Sequence, residues 1–283
     1  MRTLVLLLAM SSSALADVPQ VQTDIPPVAA LVAQVMGDLG APGVLLDKGG
    51  DEHDLQLRPS QMRALSASKL LVWVGPDLTP GLDTARAAVP DLQSLALFDD
   101  PATLRLPYAD GAPNPHAWLA PTNASLWLGL IAQRLSAIDP ENAATYVANA
   151  ATAQAQIAAM DADIARQLAP LTQTFVTYHD AYGYFTDHYH LHSAGGLAAG
   201  DAAPPGAARL SELRAQAESG QIACVFPEAQ HDPALITNLA AGTALFIGAP
   251  LDPVGSTLDP SPQAYATLMT NLTQSLLTCA NKP

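Results

Sequence analysis

The chain has 283 residues, 49% of them hydrophobic, with 12 basic side chains against 26 acidic ones and a formal charge of −14. That balance argues against nucleic acid or an anionic membrane surface as a partner, because both need clustered cations to neutralise phosphate. The length is large for one core and comfortable for two lobes.

Residues 1–16 read as a secretory signal. Arg2 supplies the positive start, Leu4 to Met10 form a short apolar run, and Ala14-Leu15-Ala16 fits small-residue cleavage. The run is too short to span a bilayer. No cysteine follows it, which argues against a lipid anchor. The expectation is a soluble exported protein starting at Asp17, with a bacterial periplasm as its address. The chain has two cysteines, Cys224 and Cys279. In an oxidising compartment an isolated pair predicts a disulfide, worth about 3–5 kcal/mol in the chain-entropy model.

Strand and helix patterns alternate from the start. Val18 to Thr23 predicts a strand, and Pro26 to Leu39 a helix with Val28, Leu31, Val32, Val35 and Met36 at helical spacing. Val44 to Leu46 is a short strand. A helix begins at Arg58-Pro59-Ser60 with Ser60 as the expected N-cap. Leu70 to Val74 is a buried strand. Residues 99–115 carry loop chemistry, and Pro121 opens a helix to about Ile138. From Pro140 to Leu168 alanine dominates and glycine is absent, which predicts one long helix. The alternation then restarts, with strands at Thr174–Tyr178, Ile222–Phe226 and Ala244–Ile247. Helices are expected at Ser211–Gly220, Pro233–Ala241 and Ser261–Leu277. The expected fold is therefore α/β. An N-terminal lobe (17–138) and a C-terminal lobe (170–283), each a mainly parallel sheet flanked by helices, are joined by a linking helix (139–169).

Three histidines occupy loops at the carboxyl ends of strands, where α/β lobes bind ligands. His53 lies in Glu52-His53-Asp54, His116 in Asn114-Pro115-His116-Ala117-Trp118-Leu119, and His179 ends the strand at Thr174–Tyr178. Asp252 follows the strand at Ala244–Ile247. Three imidazoles and a carboxylate suit a borderline-soft divalent ion, zinc first. Glu52 competes with Asp252 as the carboxylate, and Asp252 is preferred. His188, His190 and His192 would share one face of an extended segment and form an auxiliary metal site. His231 reads as structural or exposed. No catalytic residue is expected.

At these residues the chain resembles the ZnuA-type periplasmic zinc-binding proteins of ABC importers, in the metal-specific cluster A-I of solute-binding proteins. The matching segments are Glu52-His53-Asp54 with Leu57-Arg58-Pro59-Ser60, Trp73-Val74-Gly75-Pro76, Asn114-x-His116-x-Trp118-Leu119-x-Pro121, His179-Asp180-Ala181-Tyr182-Gly183-Tyr184-Phe185 and Leu251-Asp252-Pro253. The resemblance implies two α/β lobes on one long helix, with zinc between them as the transported ligand. It carries ligand roles to His53, His116, His179 and Asp252. A histidine at position 179 resembles zinc-specific members more than manganese-specific ones. The chain departs from many zinc members in lacking a long His-rich loop between the first two ligand histidines. The implied function is zinc capture and delivery to a membrane permease. A periplasmic zinc metallochaperone is a further expected partner, and the chain is expected to be a monomer. The competing readings are a secreted zinc hydrolase, since three histidines and a water also make a hydrolytic centre, and a zinc buffer or chaperone without a permease.

Overall fold

The computed structural model describes residues 18–198 and 205–280. The expected signal at 1–16 lies outside the described residues. β1 (Val21–Thr23) leads into α1 (Pro26–Met36), which opens on two prolines where a helix tolerates missing N–H groups. Gly37, at φ +55°, ends α1 in a conformation that side chains with a Cβ adopt at a cost. β2 (Gly43–Val44), α2 (Pro59–Ala67), β3 (Leu70–Trp73), α3 (Pro80–Ala87) and β4 (Gln93–Ala96) complete the first sheet and its helices. All its ladders are parallel, in the order β2-β1-β3-β4. Ser60 is not the cap of α2. Pro59 already occupies the first helical turn, and Gln61 reaches back to accept from Arg58 N at 2.7 Å.

α4 (Pro121–Ile138) keeps the expected bounds. The long helix α5 (Ala143–Leu168) has 26 residues and, at 1.5 Å per residue, runs about 39 Å. Pro140–Asn142 forms a 3-10 turn ahead of it. Asp139 closes this junction by accepting from Tyr146 Oη and Asn142 Nδ2, each at 2.7 Å. Tyr146, Ala150, Ala153, Ile157, Ile164 and Leu168 make the buried stripe of α5.

The second lobe repeats the first. β5 (Phe175–His179), α6 (Gly183–His188), β6 (Ser193–Ala198), α7 (Ala207–Glu218), β7 (Cys224–Val225), α8 (Ala234–Ala240), β8 (Phe246–Ile247) and α9 (Ala264–Ala280) follow in turn. Its parallel sheet has the order β6-β5-β7-β8, the same permutation as the first.

β5 shows how the layers are built. Phe175 faces a large core that continues through α4, α5 and α9 into the first lobe. Its neighbour Val176 faces a smaller core with Leu213, Ile222 and Ile236 beneath α7 and α8, as alternation along a strand requires. α9 belongs to the second lobe in sequence but packs against α1 and α5. Cys224 of β7 and Cys279 of α9 form the expected disulfide, with Cα atoms 5.9 Å apart. Trp118 Nε1 donates to Pro253 O at 2.8 Å, and Tyr265 Oη to Trp118 O at 2.9 Å. The two lobes therefore share an apolar, hydrogen-bonded seam.

Candidate metal centre

The strands of each sheet run parallel, so their carboxyl ends open on one edge, where loop residues form a crevice. Glu52 and His53 sit on a 3-10 turn (Glu52–Asp54) beyond β2, capped by Asp51, which accepts from His53 N at 2.9 Å. His116 precedes the 3-10 turn Ala117–Leu119 beyond β4. Asn114 Oδ1 accepts from its backbone N at 3.0 Å. His179 is the last residue of β5.

The four side chains meet. Glu52 Oε1 lies 3.8 Å from both His53 Nε2 and His116 Nε2, and His116 Nε2 lies 3.4 Å from His179 Nε2. One donor atom from each residue falls within 4.8 Å of all the others. A tetrahedral ion with bonds of about 2.0–2.2 Å needs ligand–ligand edges of about 3.3–3.6 Å, so small adjustments bring this group to zinc geometry. Glu52 Oε1 is buried without a hydrogen-bond acceptor or donor to satisfy it. A lone pair in that condition calls for a cation or a proton.

The outer ring nitrogens fix how the inner ones point. His179 Nδ1 lies 2.6 Å from Glu228 Oε2, and His116 Nδ1 lies 2.9 Å from Asn114 Oδ1. Carboxylate and amide oxygens accept, so each Nδ1 carries the proton and each Nε2 presents its lone pair inward. Tyr182 Oη donates to Glu228 Oε1 at 3.0 Å and holds that carboxylate in turn. Burial and the neighbouring His179 and His53 push the His116 imidazole well below the usual histidine range. Burial pushes the Glu52 carboxyl up to about 8, against the attraction of His179. Both shifts favour the neutral forms of buried groups, and a divalent ion reverses the balance for Glu52.

Asp252, preferred from the sequence as the carboxylate ligand, stands outside this group. Its Oδ1 accepts from Gln230 Nε2 at 2.6 Å and Ser256 N at 3.0 Å. Its Oδ2 accepts from Thr257 N at 2.9 Å and Thr257 Oγ1 at 2.7 Å. Both oxygens are spent closing the turn after Pro253, and Glu52 is the carboxylate beside the histidines. His188, His190 and His192 do not line up either. His188 ends α6, and His190 turns the chain at φ +54°, so the segment is not extended. His188 Nε2 instead meets Asp161 Oδ1 of α5 at 2.8 Å. Glu228 carries no sequence signal beyond its place just after β7, the neighbouring strand to the one that His179 ends.

Comparison with known proteins agrees with this geometry. Residues 21–279 match the family model described as "Zinc-uptake complex component A periplasmic". The chain is 44% identical to the high-affinity zinc uptake system protein ZnuA of Paracoccus denitrificans, over 98% of this chain and 97% of that one. It is 30% identical to ZnuA of Yersinia pestis, over 92% and 90% respectively. The crystal structure of a zinc-bound ZnuA deletion mutant aligns with a TM-score of 0.79 at 25% identity, covering 91% of this chain and 96% of that one. The periplasmic zinc-binding protein TroA of Treponema pallidum aligns at 0.82 with 20% identity, covering 92% and 98%, a likeness of fold.

Proposed function

The chain belongs to the periplasmic zinc-uptake component A family, and from that premise we propose that it captures zinc and delivers it to the permease of an ABC importer. His53, His116 and His179 bind the ion, and Glu52 completes the shell. The observation that carries this reading is the convergence of those four donors at the carboxyl edges of both sheets. The histidines supply neutral imidazole nitrogens aimed inward, and Glu52 supplies one negative charge to a doubly charged ion.

A fourth protein donor supports transport over hydrolysis, since a hydrolytic zinc centre keeps one position for water. The family is one of solute-binding proteins, and non-enzymatic function is our reading for this chain. Family membership supports a periplasmic address, with residues 1–16 as the export signal. No helix among the described residues is long and apolar enough to cross a membrane. The shared apolar seam supports release through local movement of the loops bearing the ligands, because wide opening would expose Trp118 and Tyr265. The protein acts as a monomer in this reading, and a zinc metallochaperone is a candidate donor of the ion.

Equilibrium dialysis of the metal-stripped protein tests the core of the proposal. The expected result is one tightly held zinc per chain, lost in His116→Ala/His179→Ala. Retention of that zinc by the double variant would place the ion elsewhere.

A further inference from the structure

Among the described residues one other set of donors is close enough to share an ion: His179, Glu228 and His231. His231 Nε2 lies 3.6 Å from Glu228 Oε2, the same oxygen that lies 2.6 Å from His179 Nδ1. The Tyr178 ring stacks on His231 with centroids 4.1 Å apart and planes 12° apart, which holds the imidazole in place. The set touches the deep quartet through His179, whose ring centroid is 6.1 Å from that of His231 and 5.2 Å from that of His116. Access to solvent is graded along this line. The His231 side chain is 26% exposed, that of His179 6%, and those of Glu228 and His116 are fully buried.

An imidazole nitrogen and a carboxylate oxygen 3.6 Å apart span the edge that an ion with bonds of about 2.0–2.2 Å would bridge. A surface Glu–His pair three residues apart is ordinarily just an ion pair. Here the carboxylate also anchors a ring of the deep site, so whatever engages it also reaches that ring. We propose that His231 and Glu228, beside His179, form a second and shallower position for a divalent transition-metal ion, from which the ion passes to the deep position. This rests on the reading that the deep quartet holds zinc. His231 meets the incoming ion at the surface, and Glu228 supplies the charge. While Glu228 holds the ion it no longer anchors His179 Nδ1, and the ring is released to turn and take the ion over. Once the ion is deep, Glu228 returns to Nδ1. The shallow position is therefore the weaker one, with fewer committed ligands and water completing its shell.

The test uses zinc alone, with the full exported chain as wild type, His231→Ala and His231→Phe. The phenylalanine keeps the stack on Tyr178 but has no nitrogen, so it preserves a merely structural role. Dialysis at excess zinc should give the wild type a second, weak equivalent that both variants lose, while the first equivalent stays within a few-fold in affinity. Stopped-flow loading, followed by tryptophan fluorescence, should be several-fold slower in both variants. A second equivalent retained in His231→Phe, or loading at the wild-type rate, would overturn the shallow position while leaving the deep one standing. A wild type that binds no first equivalent would overturn both.

Discussion

Glu228 lies 49 residues beyond His179 in the chain, yet its Oε2 sits 2.6 Å from His179 Nδ1 and its Oε1 accepts from His179 N at 3.3 Å. β5 and β7 are adjacent in the sheet, so the residue ending one and the carboxylate beyond the other face each other. Glu228 thereby sets which nitrogen of His179 faces His116. Removing the carboxylate in Glu228→Leu should weaken zinc binding about 10–100-fold, the usual cost of losing a partner that orients a ligand histidine. Glu228→Gln keeps an acceptor for Nδ1 and should fall between Leu and wild type. Competition with a chelating dye reads the order, and equal affinities across the three would remove the orienting role.

The two carboxylates weighed from the sequence now separate by position. Glu52→Gln should weaken zinc binding by at least about tenfold, since it removes the only negative charge among the four donors. Asp252→Asn should lose much less affinity and show its effect as reduced thermal stability, because Asp252 closes a turn through three hydrogen bonds and is tied by a fourth to Gln230. The same dye competition, paired with thermal melts, checks both arms. The opposite ranking would return Asp252 to the shell.

Much of this arrangement was legible in the sequence, and the gaps have physical causes. The helix at Pro121–Ile138 and the strand ending at His179 carry dense apolar patterns bounded by proline or polar residues. α3 and β4 carried no such signal: α3 buries only Leu82, and β4 is an edge strand with no fully buried residue. His53 and His116 stood out because each sits in a short loop with a partner two residues away, Asp51 and Asn114, whereas His179 ends a strand and takes its orientation from Glu228, 49 residues on. The choice between Glu52 and Asp252 was not short-range. It depends on which loop bends toward the crevice, and Asp252 is held by Gln230, a partner that no local pattern specifies.

Zinc binding should release a proton near neutral pH. Burial raises the Glu52 carboxyl to about 8, so at pH 7 the metal-free site holds a proton that the ion must displace. His116 lies well below the usual histidine range and stays neutral over the same interval, so it adds no release there. Affinity should then fall by up to about tenfold per pH unit as pH drops below about 8. Calorimetry at pH 7 in buffers of different ionisation enthalpy should show about one proton released in the wild type. Glu52→Gln should show clearly less, and equal release would move the proton to another group.

Asp24 links pH to the stability of the first lobe. It is buried at the carboxyl end of β1, where its Oδ1 accepts from Ile25 N at 2.9 Å and its Oδ2 from Val74 N at 2.8 Å. Burial outweighs these bonds and raises the carboxyl to about 7. Between the unfolded value near 4 and about 7, the native state holds a proton that the unfolded chain has released. Stability therefore falls as pH rises through that window, by up to about 1.4 kcal/mol per unit, and levels off above it. Glu52 acts with the same sign in the metal-free protein, so the informative comparison is between variants. Urea melts of chelator-treated protein at pH 5 and pH 8 should show a large difference in the wild type and a smaller one in Asp24→Asn. An unchanged difference would mean that Asp24 does not titrate in this range.

The Cys224–Cys279 bond joins β7 to α9 across a sequence separation of 55 residues. α9 packs on α1 and α5, so the bond fastens the second sheet to a helix seated against the first lobe. Both sulfurs lie in the buried core, apart from the four converging donors. In the chain-entropy model, closing a loop of that length stabilises the fold by about 4 kcal/mol. Cys224→Ser/Cys279→Ser should accordingly melt several degrees lower than the oxidised protein, and so should reduced wild type. The tightly held zinc should remain one per chain in each, because the proposed ligands are positioned by their own loops and by Asn114 and Glu228. Thiol counting under denaturing conditions without reductant should find none in protein purified from its native compartment. Two reactive thiols would refute the bond, and loss of zinc from the folded double variant would show that the site depends on it.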